Sequence, residues 1–289
     1  MRRFSLRSYL LYVSLAAGIV FEQGHAYTFL VRYTLMAMLF LSLLGCRVSG
    51  NMLLHPRLWQ LLGAMGGIAI ATFALFRLIS PDLGLIAFLL AVTPTATAAP
   101  VVTQFLRGQV DYVTTAVLLT NGLMAIAIPL LMPLLSSSNA SLGQILNATM
   151  VVIAGPLVLS QLLQQGAPRL THQLSRLKPL SFYLWLIALY LAAAKASHFI
   201  RHESGSPRML VEMALVALVL CVLNFGLGRW LGGSTLAQET SQSLGQKNTV
   251  FAIWFCLTFL RPHLALGPMF YILFQNLYNS YLIAGVSRQ

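Results

Sequence analysis

Apolar stretches of about 20 residues, the length that crosses the hydrocarbon core of a bilayer, recur from the first tenth of the chain to its last. No other feature restricts the fold as strongly. Backbone groups surrounded by lipid have no water to bond, so each stretch must satisfy its own N–H and C=O groups as a helix. Reading the runs with their breakers gives ten spans, near 6–21, 27–46, 57–79, 83–107, 110–135, 143–164, 180–197, 208–231, 234–260 and 264–286. They use nearly all of the 289 residues and leave almost no room for a soluble domain. Composition agrees, because 58% of residues are hydrophobic and only 8% are charged, where about 25% charged is usual. A water-soluble surface cannot be built from what remains. The expected fold class is an all-α polytopic membrane protein whose main partner is the lipid bilayer.

The net charge of +12 raises the question of nucleic acid. The basic residues, however, sit singly between apolar runs, with no dense patch and no interleaved aromatic residues, so topology explains them better. With the N-terminus in the cytoplasm, the inner segments hold Arg2, Arg3, Arg7, Arg47, Arg57, Arg107, Arg169, Arg176, Lys178, Arg229 and Arg288. The outer ends hold Arg32, Arg77, Lys195, Arg201, Arg208 and Arg261. Eleven against six predicts both termini inside, as an even number of spans requires, in what is expected to be a bacterial inner membrane. Met1-Arg2-Arg3 and the apolar run after it resemble a secretory signal, but the chain continues directly into another span at Tyr27, which favours a first membrane helix over Leu6 to Val20. Cys46, Cys221 and Cys256 lie in or beside apolar runs without paired spacing and read as small buried hydrophobes, not as a disulfide frame or metal site.

The segment Ser136 to Ser141 is the strongest loop signal and falls at the midpoint. It divides the chain into five spans over 1–138 and five over 139–289. An odd number of spans per half forces the second half to enter the membrane with opposite orientation, so repeats, if present, are inverted. The fourth span of each half is interrupted. In the first half, Thr93-Pro94-Thr95-Ala96-Thr97-Ala98-Ala99-Pro100 removes two backbone donors and disfavours helix before each proline. In the second, the polar run Glu239 to Thr249 leaves groups that only protein or trapped water can satisfy, unless it is an extramembrane connector between shorter spans. Paired interruptions of spans four and nine point to the central site of a secondary transporter.

Three short regions carry a family resemblance: Thr97-Ala98-Ala99-Pro100 leading to Phe105-Leu106-Arg107-Gly108-Gln109-Val110, then Gly245-Gln246-Lys247-Asn248-Thr249, and finally Gln275-Asn276-Leu277. The chain resembles the bile acid:sodium symporter family in these regions and in span count and order. The resemblance implies ten helices in a panel domain and a core domain, with two broken helices crossing at the substrate and ion sites. It also implies that Thr97, Asn248, Gln275 and Asn276 approach the substrate, although relatives commonly carry His where Gln275 stands.

The sequence departs from that family where sodium would bind. Where relatives have a Ser-Asn pair and helix hydroxyls, this chain has Ala99 and Pro100, then Val113 and Val117, none of which offers a side-chain oxygen. Thr114 and Thr115 stand next door and would serve in a shifted site. Relatives have Glu two residues before the glycine matching Gly245 and Gln two residues after it; here those places hold Ser243 and Lys247. Losing a carboxylate and gaining an ammonium is a coherent exchange, because a sodium ion and a lysine head each bring one positive charge and a buried cation needs a partner. Lys247 is therefore expected to stand in for sodium, with Gln246 beside it, unless it snorkels to an interface. Glu239, the one acid in the second broken helix, either pairs with Lys247, serves as a displaced ion ligand, or faces an aqueous vestibule.

The functional expectation is a secondary transporter moving a small organic anion by alternating access, sodium-independent or proton-coupled, with no cofactor beyond a possible coupling Na+ or H+. A sodium-coupled symporter using shifted ligands and a transport-inactive sensor or scaffold remain the alternatives. An enzyme is not expected: His25, His55, His172, His198, His202 and His263 fall at predicted helix ends or loops, and no catalytic constellation accompanies them.

Overall fold

A computed structural model describes residues 2–46, 50–136, 141–202 and 206–286. The protein is 86% helical, and no strand occurs among the described residues. The helices are α1 (Arg2–Val20), α2 (Leu30–Leu43), α3 (Pro56–Arg77), α4 (Pro81–Val92), α5 (Ala99–Phe105), α6 (Val110–Leu135), α7 (Leu142–Gly166), α8 (Pro168–Ser175), α9 (Leu180–His202), α10 (Pro207–Gly232), α11 (Ala237–Gly245), α12 (Thr249–Phe259) and α13 (Leu266–Val286). A single turn at Gly50–Leu53 and 3₁₀ turns at Glu22–Tyr27 and Pro262–Ala265 complete the described helical structure. Of these, α3, α6, α7, α9 and α10 are long and apolar enough to cross a membrane, and α2, α4 and α12 are shorter apolar helices. The protein is an integral membrane protein.

Local sequence explains the element ends. Ser80 caps α4 by accepting from the Asp82 N–H, Pro81 occupies the first helical position, and Asp82 places a negative charge in the first turn. Ser141 and Gln144 cap α7 reciprocally. Within α7 the turns widen to a π-helix over Met150–Ala154 just before Pro156, whose ring cannot follow a regular turn behind it. Residues 137–140 of the expected midpoint loop lie outside the described residues, as do Arg47 and Arg288 of the charge count. Two features differ from the sequence expectation. The predicted span 180–197 continues as helix to His202, and the predicted inner segment after α7 contains the separate helix α8.

Packing divides the helices into two groups. α1, α2, α7 and α9 pack on one another, and α3 to α6 pack with α10 to α13, with the consecutive helices α6 and α7 packing across the two groups. Without a hydrophobic driving force between helices in lipid, close approach relies on small residues. Gly228 and Gly232 of α10 supply it: a Cβ on Gly228 would lie 2.6 Å from the Thr240 carbonyl oxygen and 2.8 Å from the Ser241 Cα, so α10 and α11 meet backbone to backbone. Gly245 faces the Phe225 ring, where a side chain of any size would collide. The short helix α11 is thereby fixed against a long one.

At one end of the second group, Asp82 joins the start of α4 to the turn between α12 and α13. Its Oδ2 accepts from Arg261 Nη1 at 3.0 Å and His263 Nε2 at 2.9 Å, and the His263 ring lies 5.0 Å from that of Phe199 on α9. The His263 hydrogen bond, aided by Arg261, holds the Asp82 carboxyl below the usual carboxylate range against the opposing cost of burial. A depressed folded value means that stability is present above the unfolded carboxyl pKa of about 4 and is lost as pH falls through the lower folded one. Asp82→Asn should lower stability by about 1 kcal/mol at neutral pH, after discounting for the exposed Arg261. Thermal unfolding in detergent should show that deficit at pH 7 and lose it progressively as pH falls from about 4 through the lower folded value, where the wild-type carboxylate is also neutralised.

Candidate functional site

The helix of the first interrupted span stops at Val92 and resumes at Ala99; that of the second stops at Gly245 and resumes at Thr249. The two unwound stretches cross. Ala96 N–H donates to the Gln246 carbonyl at 2.8 Å, and Asn248 N–H donates to the Pro94 carbonyl at 2.8 Å, so Thr95 and Lys247 face each other as an antiparallel bridge. Each break satisfies backbone groups that the other leaves open. This is the condition under which non-helical backbone is tolerated at membrane depth.

Side chains complete the crossing. Thr95 donates its hydroxyl to the Ser243 carbonyl at 2.6 Å, its N–H bonds Thr120 Oγ1 at 3.1 Å, and its carbonyl accepts from Asn121 Nδ2 at 3.0 Å. Gln275 Oε1 on α13 accepts from the Lys247 backbone N–H at 3.1 Å. Tyr271 donates to the Gly245 carbonyl at 2.7 Å and accepts from Asn224 Nδ2 at 3.1 Å. One turn before the break, Gln242 Nε2 bonds Asn279 Oδ1 at 2.9 Å. Gln275 and Asn279, four apart on α13, thus serve the second broken helix, whereas Asn276 returns its amide to the Ile272 carbonyl of its own helix.

Lys247 is 1% exposed, and its Nζ donates to the Ala91 carbonyl at 2.7 Å, in the last turn of α4. The last four carbonyls of a helix lack intrahelical partners and carry the negative end of the macrodipole. The side-chain nitrogen therefore occupies a place suited to a cation. Glu239 is buried but lies elsewhere: its Oε1 accepts from the Gln109 N–H at 2.6 Å, at the cap of α6. The sequence around it explains why. Arg107 N–H bonds the Gln104 carbonyl and Gly108 N–H bonds the Thr103 carbonyl, a Schellman closure of α5 with Arg107 itself left-handed at φ 60°. Gly108 follows with no side chain, and a Cβ there would lie 2.8 Å from Glu239 Oε1. The carboxylate sits at the positive end of α6 because a glycine leaves room for it.

The other residues expected at the site are distributed as follows. Ser243 and Gln246 are buried beside the crossing, and the oxygens Ser243 Oγ, Gln246 Oε1, Gln242 Oε1 and Asn121 Oδ1 have no hydrogen-bond partner. Asn248 caps α12 by accepting from the Phe251 N–H. Thr97 and Thr114 are half-buried, and Thr115 donates to the Asp111 carbonyl one turn back. Thr95, Thr120 and Tyr271 were not among the expected residues. A threonine flanked by proline inside a predicted break is the signal that would have found Thr95.

Interrupted apolar helices that cross at a buried polar centre are the means by which secondary transporters build a midplane site, and the molecule belongs to that class of integral membrane transporter. The family model of the Sodium Bile acid symporter family matches residues 59–203, about half of the chain, and the chain belongs to that family. The match includes the first break and the Arg107-Gly108 turn, while the second broken helix and α13 lie beyond it. No curated protein matches the chain.

The Glu239 contact makes a specific prediction. Glu239→Gln keeps an oxygen for the Gln109 N–H, whereas Glu239→Ala removes it and leaves the helix end unpaired, a loss of about 1–3 kcal/mol. Gly108→Ala should cost a similar amount by displacing the carboxylate. Thermal unfolding should rank Glu239→Gln nearest to wild type, with Glu239→Ala and Gly108→Ala clearly below it.

Proposed function

We propose that this protein moves a small organic anion across the membrane by alternating access, without sodium in the family's usual place and with the Lys247 ammonium supplying that positive charge. The observation that carries this reading is the Lys247 Nζ on the Ala91 carbonyl, at the C-terminal end of the first half-helix and beside the crossing. A cation already held there by covalent attachment competes with any dissolved one for the same dipole. The expected family positions for sodium ligands agree: Ala99, Val113 and Val117 are buried and bring no side-chain oxygen. Ten membrane crossings arranged as inverted halves over 1–138 and 139–289, both termini cytoplasmic, form the framework of the proposal.

The substrate carboxylate or similar group would be received near the N-terminus of α12, which Asn248 caps and whose positive dipole end lies beside the crossing. Thr97, Gln275 and Asn276 would shape the cavity around it. Transport rests on a charge balance: with the fixed ammonium as counter-charge, the anion needs no accompanying sodium, and net proton coupling follows if Lys247 exchanges its proton during the cycle. A second reading has one observation in its favour. The unpartnered oxygens of Asn121, Gln242, Ser243 and Gln246 are the hard donors that a sodium ion at a shifted position would need.

Uptake into proteoliposomes separates the readings. At equal ionic strength, replacing sodium by potassium should leave initial rates unchanged, while an imposed pH gradient should change them if Lys247 carries a proton. Lys247→Gln should lower uptake about 10- to 100-fold, the value of one charge-assisted hydrogen bond of roughly 1.5–3 kcal/mol. Strict sodium dependence in the wild type would overturn the proposal and favour the shifted-ligand reading.

A further inference from the structure

The last turns of α9 place His198 and His202 four residues apart, on one face of the helix. The 3₁₀ turn after α1 brings Glu22 against them. His202 Nε2 lies 3.2 Å from Glu22 Oε1, and one ligand atom from each of Glu22, His198 and His202 falls within 4.8 Å of the others. We propose that these three side chains form a binding site for a zinc-class divalent metal, at the end of the first helix group and on elements that do not take part in the crossing of the broken helices.

The geometry fits such an ion with small adjustment. Bonds of about 2.0–2.1 Å at a tetrahedral angle put ligand atoms roughly 3.3 Å apart, close to the existing Glu22–His202 separation. Histidines at i and i+4 on a helix are a recurrent zinc-binding pair because one face presents both rings. Surrounding contacts hold the ligands in place. The His25 ring stacks on His198 at 3.8 Å with planes 5° apart, and His25 Nδ1–H donates to the Glu22 carbonyl at 2.8 Å. Arg201 donates to the Ile19 carbonyl at 2.8 Å and reaches the second Glu22 oxygen, Oε2, at 3.7 Å, leaving Oε1 to the metal. One carboxylate and two imidazoles favour a metal that bonds nitrogen well and disfavour magnesium or calcium, which need several carboxylate or carbonyl oxygens. Binding replaces the proton on His202 Nε2, which leaves to solvent, and ties the α1–α2 connection to α9. The fourth position of the tetrahedron is open to water.

The test uses the untagged full chain in detergent, with zinc chloride as the probe and magnesium chloride as the control. At free zinc about 100-fold above its Kd, binding should raise the melting temperature by several degrees, and magnesium should not. His198→Ala and His202→Ala should each melt near the wild type without zinc and lose the zinc-induced shift, with zinc affinity in a competing chelator dye reduced at least about tenfold. Equal stabilisation by magnesium, no zinc shift in the wild type, or a full shift in both histidine variants would overturn the site.

Discussion

The exchange of backbone hydrogen bonds between residues 94–96 and 246–248 is the contact on which the rest of the structure depends. An interrupted helix in lipid leaves carbonyls and amides that water cannot reach, and each orphaned group costs several kcal/mol. Two breaks that meet convert that liability into a bridge. The cost of this solution is geometric, because both unwound stretches must arrive at one point in register. Gly228, Gly232 and Gly245 let α11 lie directly on α10, and Thr120 and Asn121 of α6 hold Thr95 from the other side. These residues therefore serve one structural requirement although they lie far apart in sequence.

The same geometry gives Lys247 its place. Ending α4 at Val92 leaves carbonyls without partners, and the ammonium meets one of them at Ala91. No salt bridge joins it to an acid among the described residues, since the buried carboxylate of its own helix, Glu239, is engaged by the Gln109 N–H. The two ionisable side chains of the second broken helix are thus each set at a helix terminus whose dipole suits its charged form, Glu239 at the start of α6 and Lys247 at the end of α4. Pairing them with each other would have left both termini without charge compensation.

Much of this was legible in the sequence, for reasons that differ by element. The breaks follow from chemistry that acts locally: proline removes a donor wherever it stands, and a polar run in an apolar span must end a simple helix. That the two breaks meet was implied by their pairing, but the register was not legible, because nothing in the order of residues says that Pro94 and Asn248 will share a hydrogen bond. Gln275, Asn276 and Asn279 read as one amide-rich face of α13, but Asn276 turns back to its own helix, because the rotation that decides this is not fixed by a helical period. Glu239 shows the limit most clearly. Its sequence distance from Lys247 invited a pairing, whereas its contact is set by the missing side chain of Gly108, 131 positions away. The extra turns of α9 hid the His198–His202 pair for a similar reason, since a span boundary read from hydropathy stops before the polar last turns.

Motion, on the proposed reading, has to respect these contacts. The hydrogen bonds of the crossing, the glycine packing of α10 on α11 and the Asp82 cluster's Arg261 and His263 bonds all lie within the group α3 to α6 and α10 to α13. Opening the crossing itself would expose several buried polar groups at once, a far larger cost than sliding apolar helix faces past one another. The seam between that group and α1, α2, α7 and α9 is the softer boundary, because apolar side chains dominate the core that spans it. Alternating access is then a relative movement of two preformed bodies around an intact polar centre, and the stability of that centre is a condition for transport, not an obstacle to it.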